Sequence, residues 1–99
     1  MNIVAVTACP TGIAHTYMAA ERLEKAARRL GHAIKVETQG ALGIENQLSP
    51  VDIAQADFVV FAAGIAVRER ERFAGKRIVE ISVQDAIKDP ERALAASGS

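Results

Sequence analysis

A chain of 99 residues with no composition break that would mark a linker fits one domain, large enough to bury a core without disulfides or a structural metal. Its 12 basic and 12 acidic side chains cancel, and no basic stretch is interleaved with its single tyrosine and three phenylalanines, which excludes the footprint of a nucleic-acid binder. Ile3 to Ala8 is too short for a secretory h-region, no apolar stretch reaches the roughly 18 residues that span a bilayer, and one thiol, Cys9, permits neither an internal disulfide nor a Cys/His zinc set. A soluble domain without metal or cofactor is expected.

The first element is Asn2 to Ala8, a nearly unbroken apolar run rich in β-branched residues, which reads as a strand buried on both faces. After a loop at residues 9 to 15, Ala19, Leu23, Ala26, Ala27 and Leu30 fall at spacings of three and four and predict a helix to Leu30, stopped by Gly31. His32 to Thr38 alternates, with Ile34 and Val36 inward and Lys35 and Glu37 outward, which predicts an edge strand. His32 itself reads as solvated surface. Gln39 to Leu48 shows little periodicity and reads as a loop. Ser49-Pro50-Val51-Asp52 opens a short helix with a cap, a first-turn proline and an acid at the third position. Asp57 to Ala63 is a second apolar run and a central strand, Arg68 to Phe73 a short charged helix, and Arg77 to Ser82 a fourth strand. Asp89-Pro90 caps a last helix that fades at Ser97 to Ser99.

This order predicts an α/β fold, a three-layer doubly wound sheet of four parallel strands in the order 2-1-3-4 with helices on both faces. Residues 1 to 96 form the single domain and 97 to 99 a tail or linker remnant. Ligands of such sheets bind beyond the strand carboxyl ends, where the winding direction reverses. That switch point falls between strands 1 and 3, immediately at Cys9.

From composition alone Cys9 is either a small buried hydrophobe or a chemical centre. Its surroundings are Cys9-Pro10-Thr11-Gly12-Ile13-Ala14-His15-Thr16. A strand-to-helix turn exposes backbone N–H groups that lack intrahelical partners, and these form an anion site at the positive end of the helix dipole. Gly12 allows the turn a positive φ, and Thr11 and Thr16 offer hydroxyl donors. A thiol at this rim is acidified. At a reference pKa of about 8.5 roughly 3% of a thiol is ionised at pH 7, so full ionisation gains at most about thirtyfold. Positioning and charge stabilisation by the N–H donors must supply the rest of any phosphoryl-transfer catalysis. His15 either donates one hydrogen bond from a neutral ring to loop or phosphate, or fixes the turn. Gln39 and Gly40, just past the second strand, either border the site or simply shape their loop.

The run Cys9 to Thr16 resembles, at all eight positions, the hallmark of the fructose-type EIIB component of the bacterial sugar phosphotransferase system. The resemblance extends through Tyr17-Met18-Ala19-Ala20-Glu21, Val36-Glu37-Thr38-Gln39-Gly40 and Arg72-Phe73-Ala74-Gly75-Lys76. It implies an enzyme of phosphoryl transfer: Cys9 takes the phosphoryl group from a phosphohistidine of the EIIA component and passes it to a sugar in the membrane component EIIC. The family's usual sugar is fructose, released as fructose 1-phosphate. The implied location is cytoplasmic, at the inner face of the membrane through EIIC, with no direct membrane insertion. Gly64 stands where many relatives carry an acid.

A low-molecular-weight phosphatase, which also uses a loop cysteine, is the alternative. Its Cys-x5-Arg loop needs an arginine where this chain has His15, and the one candidate general acid, Asp89, reads more simply as a helix cap. A redox role lacks the second thiol of Cys-x-x-Cys, and a dinucleotide site lacks its glycine fingerprint. A pure binding module has the same pattern as a carrier.

Overall fold

The two unbroken apolar runs become the middle of the sheet, because only a strand covered on both faces can bury every side chain. In the computed structural model, which describes residues 1–9 and 13–96, these runs are β1 (Asn2–Ala8) and β4 (Phe58–Ala63), paired in parallel. The other elements are α1 (Ile13–Arg29), β2 (Ala33–Gly40), β3 (Gly43–Glu45), α2 (Pro50–Gln55), a 3-10 helix (Arg70–Phe73), β5 (Ile78–Ile81), α3 (Val83–Lys88) and α4 (Pro90–Ala96). Pro10, Thr11, Gly12 and the expected tail at 97–99 lie outside the described residues.

Alternation along β1 divides the core. Ile3 and Ala5 face Ala19, Leu23, Ala26 and Ala27 of α1, with Ala86 of α3 and Leu94 of α4 in the same cluster. Val4 and Val6 face Ile53 of α2, Phe61 and Phe73. The rings of Phe61 and Phe73 meet edge to face at 5.2 Å between centroids, a favoured aromatic geometry. Helices thus cover both faces.

The sheet has five strands in the order β3-β2-β1-β4-β5 and not the four expected from sequence. The added strand, β3, pairs antiparallel with β2 across a turn at Ala41 and Leu42, and Gly43 takes a positive φ, 88°, where the chain re-enters the ladder. Three residues are too few to show a period, so this stretch reads as loop. β2 is consequently an interior strand.

Other local expectations shift for identifiable reasons. Gly31, at φ 80°, ends α1: its N–H donates to Arg28 O at 3.1 Å and the N–H of His32 to Ala27 O at 2.8 Å, the paired bonds of a Schellman motif. Leu30 lies past the last turn of α1 and is 44% exposed, so it leaves the apolar stripe. Ser49 and Asp52 form a reciprocal capping box on α2. The charged segment tightens into a 3-10 turn beginning at Arg70. A helix absent from the sequence reading, α3, is capped by Ser82, which accepts from the N–H of Asp85, and the Asp89 N–H closes its other end on Asp85 O at 2.8 Å. Asp89 therefore joins two helices.

Candidate functional site

Cys9 follows β1 at the carboxyl edge of the sheet. β1 lies between β2 and β4, and the chain leaves it through α1 on one face and returns to β4 through α2 on the other. This is the topological switch point. Cys9 packs with the α1-side cluster and is 9% exposed, so both readings of its sequence meet: the thiol is largely enclosed and stands at the position where ligands of this architecture bind.

Two bonds fix the strand end beneath it. Thr7 Oγ1 donates to Thr16 O at 3.1 Å, tying β1 to the first turn of α1, and the Gly64 N–H donates to Ala8 O at 2.8 Å, tying it to the segment after β4. α1 has no acid in its first turn and ends on Arg28 and Arg29, so no carboxylate of that turn offsets the positive end of its dipole.

Of the loop residues expected to hold phosphate, Ala14 and His15 are exposed, and the His15 side chain makes no hydrogen bond with a described residue. Thr16 is buried, 2% exposed, so it is placed within the helix–sheet packing and not on the open rim. Ile13 opens α1. A methyl group added at Gly40 would meet Thr16 Oγ1 at 3.6 Å, an ordinary contact, which sets Gly40 beside the start of α1. Tyr17 OH donates to Glu45 of β3, and this bond, with burial and the charge of Glu45, pushes the phenol pKa up.

Gln39 is not a surface loop residue. It is buried and forms part of a polar cluster that sequence reading misses, centred on Glu37, which is wholly buried although expected on a wet face. Arg72 clamps both carboxylate oxygens of Glu37 at 2.9 Å, Gln39 Nε2 donates at 2.7 Å and the Leu48 N–H at 2.9 Å. Burial pushes the Glu37 carboxyl up, but the bonds from Arg72, Gln39 and Leu48 outweigh it and hold the pKa below its usual value. The Glu37 bond likewise raises the Arg72 pKa against burial. The partner that makes burial possible lies 35 positions away in sequence, so no local pattern reveals it.

Among the described residues, no group of three or more His, Cys, Asp or Glu is arranged to hold a metal ion. No described helix is long and apolar enough to cross a membrane.

Fold and site define a doubly wound α/β domain with its only thiol at the switch point, enclosed between the end of the central strand and the start of a long helix. Residues 4–96 match the family described as "PTS system, Lactose/Cellobiose specific IIB subunit", and the chain belongs to that family of IIB subunits of the phosphotransferase system. Its place in sugar phosphotransfer follows from that membership. The curated relatives point to a fructose-like branch. The chain is 56% identical over 87 residues to the "PTS system fructose-like EIIB component 2" of Escherichia coli (strain K12), an alignment covering 88% of this chain and 82% of that protein. It is also 56% identical over 91 residues to the "Fructose-like PTS system EIIBC component" of the same strain, covering 90% of this chain and 19% of the longer protein. Among solved structures, a domain from the fructose-specific IIABC component of Borrelia burgdorferi superposes with a TM-score of 0.91 at 45% identity, covering 96% of this chain and 90% of that one.

Proposed function

We propose that Cys9 is the phosphoryl acceptor of this EIIB domain and that residues 1–96 work as one carrier unit. The thiolate sulfur attacks the phosphorus of a phosphohistidine on an EIIA donor; the N–P bond breaks as the S–P bond forms. A sugar hydroxyl held by a membrane EIIC component then attacks the same phosphorus. The S–P bond breaks, the thiolate returns, and the hydroxyl proton passes to a base on the acceptor side. The fructose-like names of the relatives support fructose as the sugar and fructose 1-phosphate as the product. The fused EIIBC relative supports an EIIC partner and hence a cytoplasmic position against the membrane.

One observation carries the reading: the only cysteine of the chain sits at the carboxyl end of the central strand, at the switch point, before a long helix with no acid in its first turn. Backbone N–H donors at the start of α1 supply charge stabilisation to the equatorial phosphoryl oxygens, and burial of the sulfur keeps water from the phosphocysteine. The test is a complete relay. Domain phosphorylated by cognate EIIA is mixed with EIIC membranes and candidate sugars, and label passes to fructose and stays on protein without an acceptor. Rapid release of inorganic phosphate in the absence of membranes would instead make the domain a phosphatase.

A further inference from the structure

The segment after β4 takes a path with a mechanical meaning. Ala8, the last residue of β1, is flanked by Ala63 of β4 on one side and Gln39 of β2 on the other. Gly64 is bonded to Ala8 from the β4 side, yet four residues later the backbone of Arg68 is bonded on both its polar groups to the side chain of Gln39: the Arg68 N–H donates to Oε1 at 2.7 Å, and Nε2 donates to Arg68 O at 3.2 Å. Residues 64 to 68 therefore run from the β4 side of Ala8 to its β2 side, past the carboxyl end of β1, and are fastened on the sheet face that Val6 and Glu37 share, while Cys9, the next residue of the chain, packs with the α1-side cluster.

The far end of the 64–68 segment is fastened to the buried carboxylate. Glu37 holds Gln39 through Nε2 and holds Arg72 bidentately, and Arg72 reaches the Arg68 carbonyl with Nη2 at 3.4 Å and the Glu69 carbonyl with Nε at 2.9 Å. The turn that follows is costly, since Glu69 is held at φ 55°. Arg68 itself is exposed, and its guanidinium makes no hydrogen bond or ion pair with the described residues. Two sequence stretches that the phosphate loop does not explain, Val36 to Gly40 and Arg72 to Lys76, are thus two halves of one fastening.

We propose that Glu37, Gln39 and Arg72 are positioning residues that pin the 64–68 segment past the end of β1, and that the segment presents the Arg68 guanidinium to the phosphoryl group of the incoming donor. The inference rests on Cys9 being the phosphoryl acceptor. A guanidinium offers a fixed fork of donors matched to phosphoryl oxygens, and a fork on a pinned backbone loses less freedom when it engages. The arginine acts on arrival of the charged group and not on the unphosphorylated donor protein.

The experiment measures initial rates of Cys9 labelling against concentration of phosphorylated EIIA for wild type, Arg68→Gln, Gln39→Leu and the double variant, with Arg22→Gln on the outer face of α1 as control. Arg68→Gln is expected to raise KM about tenfold with little change in kcat, and to leave affinity for unphosphorylated EIIA unchanged. Gln39→Leu is expected to raise KM similarly, and the double variant to be no worse than Arg68→Gln alone. An unchanged KM in Arg68→Gln, whose exposed site tolerates the change, overturns the proposal. So does equal weakening toward phosphorylated and unphosphorylated donor, or a Gln39→Leu protein with a lowered melting temperature but normal KM. If wild type takes no label at Cys9, the acceptor reading falls and this inference with it; label on wild type with unaltered variants sinks the inference alone.

Discussion

Replacing Arg72 by leucine removes one partner of the Glu37 ion pair and leaves the carboxylate where water does not reach it. Breaking a buried pair from one side costs about 3–5 kcal/mol, because the remaining charge is uncompensated. Two features place this case at the lower end. The Arg72 side chain is 17% exposed, so some solvent enters when it is cut back, and Gln39 and the Leu48 N–H still donate to the carboxylate. Loss of the guanidinium from its place 4.9 Å over the Phe73 ring adds a smaller cost. A loss of about 3 kcal/mol is a large part of the roughly 5–15 kcal/mol that stabilises a domain, and lowers Tm by about 12–24 °C at this size. The pH dependence gives an independent check. In the native protein the folded-state pKa of Glu37 is depressed, so its contribution is present above the unfolded value of about 4.3 and is lost as pH falls through the folded value. Without Arg72, burial dominates and raises the folded value, so the penalty is full at neutral pH and is relieved as pH falls. Urea denaturation followed by circular dichroism should therefore show a gap between native protein and Arg72→Leu that narrows from pH 7 to about pH 5. A loss under about 1 kcal/mol at pH 7, or a gap that widens toward acid, would refute the reasoning.

Two further outcomes follow from the local structure. Asp52 is held well below the usual carboxylate range, at about 2, first by its hydrogen bond to Lys35 and then by the capping-box bonds with Ser49; carbon-detected NMR titration should show Lys35→Met moving it upward, and the stability it contributes should be present above the ordinary value and fade as pH falls toward 2. Leu23 and Leu30 belong to one sequence stripe but not to one environment, so Leu23→Ala should cost about 2–5 kcal/mol and Leu30→Ala under about 1, measured by the same urea transitions. Equal losses would contradict the end of α1 at Gly31.

Features written in a few adjacent residues are legible from the sequence. The apolar runs of β1 and β4, the stripe from Ala19 to Ala27, the Ser49–Asp52 cap and Gly31 all state their structure locally, and Cys9 directly after the first strand fixes where the thiol stands. Features that depend on a distant partner are not. Glu37 alternates like a surface residue, and only Arg72 makes its burial tolerable. Gln39 reads from sequence only as a residue that either borders the site or shapes its loop, and not as the side chain that fastens the 64–68 segment, because the backbone it binds belongs to a different loop. β3 and α3 fall below the length at which periodicity speaks, although Ser82 three positions before Asp85 carried a capping signal for α3.

The central claim is that the phosphoryl group rides on the sulfur of Cys9. Incubating the domain with EIIA, the upstream phosphoryl donors and phosphoenolpyruvate, then digesting under neutral conditions and sequencing the peptides by mass spectrometry, locates the added group directly. The account predicts one phosphoryl group on Cys9 and none in Cys9→Ser treated the same way. Full phosphorylation of Cys9→Ser, or a group found on His15 in the native protein, would contradict it.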